Sequence, residues 1–204
     1  NTYSVSLNKQ ELFNAKYFGY FKQLVYKLSG DYYTFWTENK IFTDRKIMRM
    51  AEAELITDLL IAILDGIQSK KSADKYYQLY DENFENRKEI EEKFSDTINL
   101  IGNLFGDTLK ESNFRTVPNF YGLFIALYHV NYGIPNLNAD VKKITREDYP
   151  KIRNCLDDIN CILEMEEIPK EYFEFVKSTK DATTDVPART TRCEFIVKKM
   201  LEVL

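Results

Sequence analysis

The stretch Leu59-Leu60-Ile61-Ala62-Ile63-Leu64 is apolar without interruption. It is the second half of Arg45 to Gln68, where Ile47, Met50, Ala51, Leu55, Leu59, Ala62 and Ile63 recur at helical spacing. That period predicts one helix capped by Thr43 or Asp44, and a helix that is apolar all round must be enclosed by others. Gly66 and the Lys70-Lys71-Ser72 run mark its exit. A second segment, Asn119 to Tyr132, begins after Thr116 with Pro118 at a first helical position and is apolar enough to be buried too. Gly133 and Pro135 close it.

Outward from these two segments the same period continues. Asn8 followed by Glu11 is a capping box that starts a helix at Lys9 and carries it to about Phe18. Gly19 and Gly30 divide the following aromatic stretch into helices over Tyr20 to Leu28 and Asp31 to Glu38. A short helix with Tyr76, Tyr77 and Tyr80 follows Ser72 or Asp74. Asn86 opens a long surface helix with one stripe, Ile90, Phe94, Ile98, Ile101, Phe105 and Leu109. Thr145 caps a helix to about Glu166, Pro169 begins another to about Ser178, and a last one starts near Ala188 or Thr190. Only Thr2 to Leu7 alternates, reading as a short strand or an extended linker over residues 1–7. The expectation is all-α: a compact bundle of roughly eight to ten helices forming one domain over 8–204.

Composition is that of an ordinary globular chain: 204 residues, 44% apolar and 29% charged, with a formal net charge of −4. That charge gives no general electrostatic case for nucleic acid or anionic membranes, though a local basic patch remains open. Cys155, Cys161 and Cys193 lack zinc-ligand spacing and are odd in number, which points to a reducing, cytoplasmic setting. The longest apolar stretch, Val117 to Tyr128, is interrupted by Pro118 and Asn119 and falls short of the about 20 residues of a membrane helix. The chain opens on Asn1 and closes on Leu204 inside a periodic segment, so it reads as a fragment.

Few residues suggest chemistry. His129, the one histidine, lies in the second buried segment and reads as a core residue hydrogen-bonded to backbone or to a tyrosine. Neither a Walker-type nor a dinucleotide-binding glycine pattern occurs. Glu54 and Asp58 are four apart on one helix face, a spacing that places two carboxylates near one cation, while ion pairs such as Arg49 with Glu52 are the plainer expectation for that face. The acidic run from Asp81 to Glu92 reads as a solvated surface. Lys177, Lys180, Arg189, Arg192, Lys198 and Lys199 form a C-terminal basic group, in which Arg189 and Arg192 flank a Thr-Thr step suited to a phosphate. Acidic residues interleave with them, so docking of another domain is as natural a reading as nucleic acid.

The stretch Leu7-Asn8-Lys9-Gln10-Glu11-Leu12-Phe13-Asn14-Ala15 resembles the LNxQELRNA signature that opens the helical region of the domain-of-unknown-function two-six-two family, related to GmrSD-type modification-dependent restriction enzymes. Supporting stretches follow in order: Phe35-Trp36, Lys46 to Leu55, Asp65 to Ser72, Arg115 to Gly133 and Arg189 to Phe195. The resemblance implies a helical, non-catalytic domain of a restriction-like or phage-defence protein, docked to an upstream ParB-like domain whose DGQQR motif serves nucleotide hydrolysis or nuclease activity. That motif and the HNH nuclease domain of some relatives are absent here, and Phe13 stands where the family has arginine. Nucleotide and divalent metal would then belong to the parent protein. On this reading Gln10, Glu11, Asn14, Arg189 and Arg192 are candidates to face the missing domain or DNA, with capping already accounting for Glu11. The alternatives are DNA binding through the C-terminal basic group, and an enzyme using Glu54 and Asp58 with a metal.

Overall fold

A computed structural model describes residues 6–204, and over that range the chain is helical with no strand. For residues 1–5 the expected linker lies outside the described residues; Ser6, Leu7 and Asn8 have no regular structure. Eleven α-helices follow: α1 (Lys9–Lys16), α2 (Tyr20–Asp31), α3 (Tyr33–Glu38), α4 (Asp44–Ile47), α5 (Ala51–Asp65), α6 (Ala73–Leu79), α7 (Arg87–Phe105), α8 (Val117–Tyr132), α9 (Tyr149–Glu164), α10 (Phe173–Lys180) and α11 (Val186–Val203). This is the all-α bundle that the periodicity predicts, one helix richer than the upper estimate.

The two apolar segments form the centre. In α8 every residue from Asn119 to Val130 is buried, and in α5 so is every residue from Leu55 to Ile63. Helix α8 packs against α11, α7 and α5, while α5 also receives α2, α4, α6 and α1. Trp36, fully buried, meets Phe35, Phe42 and Phe120 edge to face, which ties α3 to α8. Helix α7 buries the expected stripe Ile90, Phe94, Ile98 and Ile101 and exposes its charged face.

Boundaries differ from the sequence reading where tertiary contacts intervene. The helix expected over Arg45 to Gln68 is broken: α4 ends at Ile47, Met50 takes a left-handed conformation with φ 58°, and α5 restarts at Ala51. The break is held from outside the segment, because the Asn8 side-chain amide donates to the Arg49 carbonyl at 2.7 Å and the Tyr26 hydroxyl donates to the Met50 sulfur at 3.2 Å. Such contacts outweigh a propensity of a few tenths of a kcal/mol per residue. Gly30 does not end α2, which runs to Asp31. Gly106, at φ 51°, ends α7 before Leu109, which stays buried in the 3-10 turn Gly106–Glu111. The loop expected over Thr179 to Pro187 is shorter, since α10 reaches Lys180 and α11 starts at Val186.

Gly19 explains how α2 meets α6. The α2 amides of Tyr20 and Phe21 donate to the carbonyls of Asp81 and Tyr80 at 3.0 and 3.1 Å, so the end of one helix caps the start of another. A Cβ on Gly19 would lie 2.1 Å from the Asp81 carbonyl oxygen, so only glycine permits the approach.

Candidate functional site

The N-terminal candidates sit on α1, and most of their polar atoms turn inward. Asn8 accepts from the Glu11 amide at 2.9 Å, and the Asn8 amide donates to Glu11 at 2.7 Å, which is the predicted capping box. Glu11 also pairs with Arg49 at 2.7 Å, and Arg49 donates to the Ser6 carbonyl at 3.1 Å. Arg49 therefore pairs with Glu11 rather than Glu52. Gln10, on the buried face, donates to the Tyr77 hydroxyl at 2.8 Å, which lies 2.9 Å from the Thr57 hydroxyl on α5. Burial raises the Tyr77 hydroxyl above its ordinary pKa, so the chain of hydrogen bonds is neutral. Asn14 is half-buried and offers its backbone carbonyl to Lys22 at 2.7 Å.

The C-terminal candidates are buried more deeply. Arg189 and Arg192 are only 4% and 1% exposed, on the face of α11 that packs against α8. Arg189 donates to Asp58 at 2.6 Å and to the Gln68 carbonyl at 2.8 Å, and its guanidinium lies 4.5 Å from the centre of the Tyr121 ring. Burial pushes the Asp58 carboxyl above the ordinary range, with Arg189 and Lys70 opposing. For Arg189, burial opposes the charge, but Asp58 and Tyr121 together raise its pKa and keep the guanidinium charged. The pair is one ionised unit inside the bundle. Arg192 donates to the Ser178 carbonyl and, at 3.0 Å, to the Thr183 carbonyl. It thereby satisfies the end of α10 and the loop after it, where the helix dipole is negative. Its stem lies against Gly122 of α8, where a Cβ would stand 3.0 Å from the Arg192 Cγ.

The structure thus corrects the expectation that Arg189 and Arg192 face DNA or another domain. Both are enclosed by this chain, because they lie on the inward face of α11 while neighbours such as Glu194 on its outer face stay exposed. Only the lysines of that basic group reach solvent. The two candidate groups converge on α5 at the adjacent residues Thr57 and Asp58, yet they form no common surface.

The carboxylate pair separates as well. Glu54 remains half-exposed and holds Lys70 at 3.2 Å, while Asp58 is sealed against Arg189. Among the described residues no group of three His, Cys, Asp or Glu is placed to hold a metal ion. Glu52, expected to pair with Arg49, is instead buried in the first turn of α5. Burial raises its pKa, its own amide and that of Ala53 oppose, and its Oε2 has no hydrogen-bond partner. Its position after the Met50 break turns it inward, and nothing local in the sequence announces that break.

His129 fulfils the core reading. Its Nε2 lies 3.0 Å from the Ala139 carbonyl and its Nδ1 accepts from the Ile134 amide at 3.2 Å, which fixes a neutral tautomer with the proton on Nε2. Burial lowers its pKa. The thiols of Cys155 and Cys193 are also buried and pushed up, to about 11 and about 12, and all three cysteines are free.

The outer surface of α1 and its flanks differs from its inner face. Leu7, Leu12 and Phe18 are 59%, 51% and 74% exposed, beside the buried Phe13 and Tyr17. On the far side of the capping box, a groove of about 400 Å³ is lined by Asn8, Lys9, Thr43, Arg45, Lys46, Arg49, Ala51 and Glu54. Among the described residues no helix is long and apolar enough to cross a membrane. No family profile matches the chain, and neither a curated protein nor a solved structure matches it.

Proposed function

We propose that this chain is a non-catalytic helical module that docks an upstream, nucleotide-dependent ParB-like domain in a cytoplasmic restriction-like or phage-defence protein. The observation that carries this reading is the two-sided character of α1. Asn8, Gln10 and Glu11 fasten the helix to α5, α6 and Arg49, while Leu7, Leu12 and Phe18 remain uncovered. Exposed apolar side chains on and beside a helix that is otherwise locked down offer contacts to a second folded unit. The resemblance in Leu7 to Ala15 supplies the identity of that unit, and hydrolysis or cleavage resides there.

The test is association between this chain and the separately produced upstream region of its parent protein, measured by calorimetry. Leu12→Lys combined with Phe18→Lys abolishes association and leaves the helical circular dichroism and thermal midpoint unchanged. Equal binding by the double variant would remove α1 from the interface. A parent protein without any upstream α/β region would remove the reading altogether.

A further inference from the structure

We infer that the groove between the start of α1 and the α4–α5 junction binds a phosphate-bearing anion. The charges surrounding it are unbalanced. Lys9, Arg45, Lys46, Arg49 and Lys70 stand against Asp44, Glu11 and Glu54, in a chain whose net charge is −4. Two of the acids are already paired: Glu11 holds Arg49 at 2.7 Å and Glu54 holds Lys70 at 3.2 Å, while Asp44 accepts only from the neutral Tyr33 hydroxyl at 3.0 Å and keeps its charge. Arg45 and Lys46 make no ion pair and no side-chain hydrogen bond among the described residues, and both are exposed. Lys9 reaches only the Lys70 carbonyl at 3.3 Å and the Phe13 ring at 5.4 Å. Among the described residues three cations thus share one concavity of about 400 Å³ with no ion pair of their own, and Asp44 is the one unpaired acid set against them.

The lining selects the ligand. No side chain in the groove is a large aliphatic or an aromatic; Ala51 is its one purely apolar residue, and Asn8 and Thr43 add polar atoms. Most of that wall is apolar surface, but it comes from the methylene stems of charged residues and forms no pocket for a large apolar side chain, which suits a compact, multiply charged anion held by the polar heads. Arg49 is prepositioned by Glu11 and by the Ser6 carbonyl, and Arg45 supplies a second, free planar fork that matches phosphate oxygens. Concavity concentrates the field of these charges above that of scattered surface lysines. The inference stands apart from the docking reading, since neither Leu12 nor Phe18 lines the groove.

The shared chemistry is a phosphate group, carried either by a nucleic-acid backbone or by a free nucleotide. Fluorescence anisotropy with a labelled DNA duplex, and calorimetry with ATP and with inorganic pyrophosphate, separate the two sources. The chain binds one of these probes, and affinity falls steeply between about 50 and about 200 mM salt if the duplex is the ligand. Arg45→Glu with Lys46→Glu weakens binding by about tenfold or more. The same charge reversal placed elsewhere, Lys88→Glu with Arg146→Glu, leaves it within about twofold once the general charge effect is subtracted. Both pairs are exposed, so a matched thermal midpoint checks that the fold is intact. Duplex binding identifies a backbone ligand, and ATP or pyrophosphate binding without duplex binding identifies a free phosphate. The inference is overturned if no probe binds, if the groove variant binds as the unchanged chain does, or if a poly-glutamate peptide binds as tightly as the phosphates.

Discussion

The two ends of the chain are fastened to adjacent residues of α5 by opposite means. At the N-terminal end, Gln10, Tyr77 and Thr57 make a neutral run of hydrogen bonds. At the C-terminal end, Arg189 and Asp58 make a buried ion pair between residues 131 positions apart. Neutral groups give up modest hydration on burial, and one hydrogen bond each nearly restores it. Charged groups give up far more, so each half of the pair depends on the other. The C-terminal fastening is therefore brittle to single substitutions and the N-terminal one forgiving.

The sharpest way to break that contrast is Asp58→Ala, which strands the Arg189 guanidinium in the core. Urea denaturation should show a loss of about 3–5 kcal/mol. Asp58→Ala combined with Arg189→Met should recover a large part of it, and no recovery would mean that the pair contributes packing rather than charge. Next in size is Gly122→Ala. Alanine in a helix normally gains up to about 1 kcal/mol over glycine. Here its Cβ meets the Arg192 stem, which is pinned by two carbonyls, so a net loss of about 1–2 kcal/mol is expected in the same assay. A gain would show that Arg192 moves freely and that its carbonyl bonds are weak.

On the N-terminal side, Tyr77→Phe removes the hydroxyl shared by Gln10 and Thr57 and should cost about 1–2 kcal/mol. A loss as large as that of Asp58→Ala would erase the distinction between the two fastenings. The smallest effect expected is a pH dependence from His129, which joins α8 to the loop after it by neutral bonds. Its folded pKa lies below its ordinary 6.5, so in the window between the two values the unfolded chain holds the extra proton. The contribution is complete above pH 6.5 and declines as the pH falls through that window. Denaturation midpoints at neutral and mildly acidic pH measure it, and His129→Gln should reduce the difference between them.

Several of these features were legible one residue at a time. The uninterrupted apolar run at Leu59 to Leu64 and the segment from Asn119 to Tyr132 can only be helices enclosed by others, and α5 and α8 are the enclosed pair. The Asn8–Glu11 capping box is visible because both of its partners lie within one turn. His129 reads correctly because a polar ring inside an apolar helix has few options but the backbone. Arg189 and Arg192 read as surface charges because, within their own segment, nothing distinguishes a solvated arginine from one that is paired across the fold.

What the sequence alone determined is the helical class, the two central helices and the local caps, all set by interactions between residues a few positions apart. Tertiary structure decided the break at Met50, the inward turn of Glu52, the partnership of Asp58 with Arg189, and the gathering of Lys9, Arg45, Lys46 and Arg49 around one groove. Local periodicity fixes which side of a helix is apolar. Only the packed chain fixes which distant group lies opposite a buried charge, because the cost of burying that charge is met by a partner its own segment does not contain.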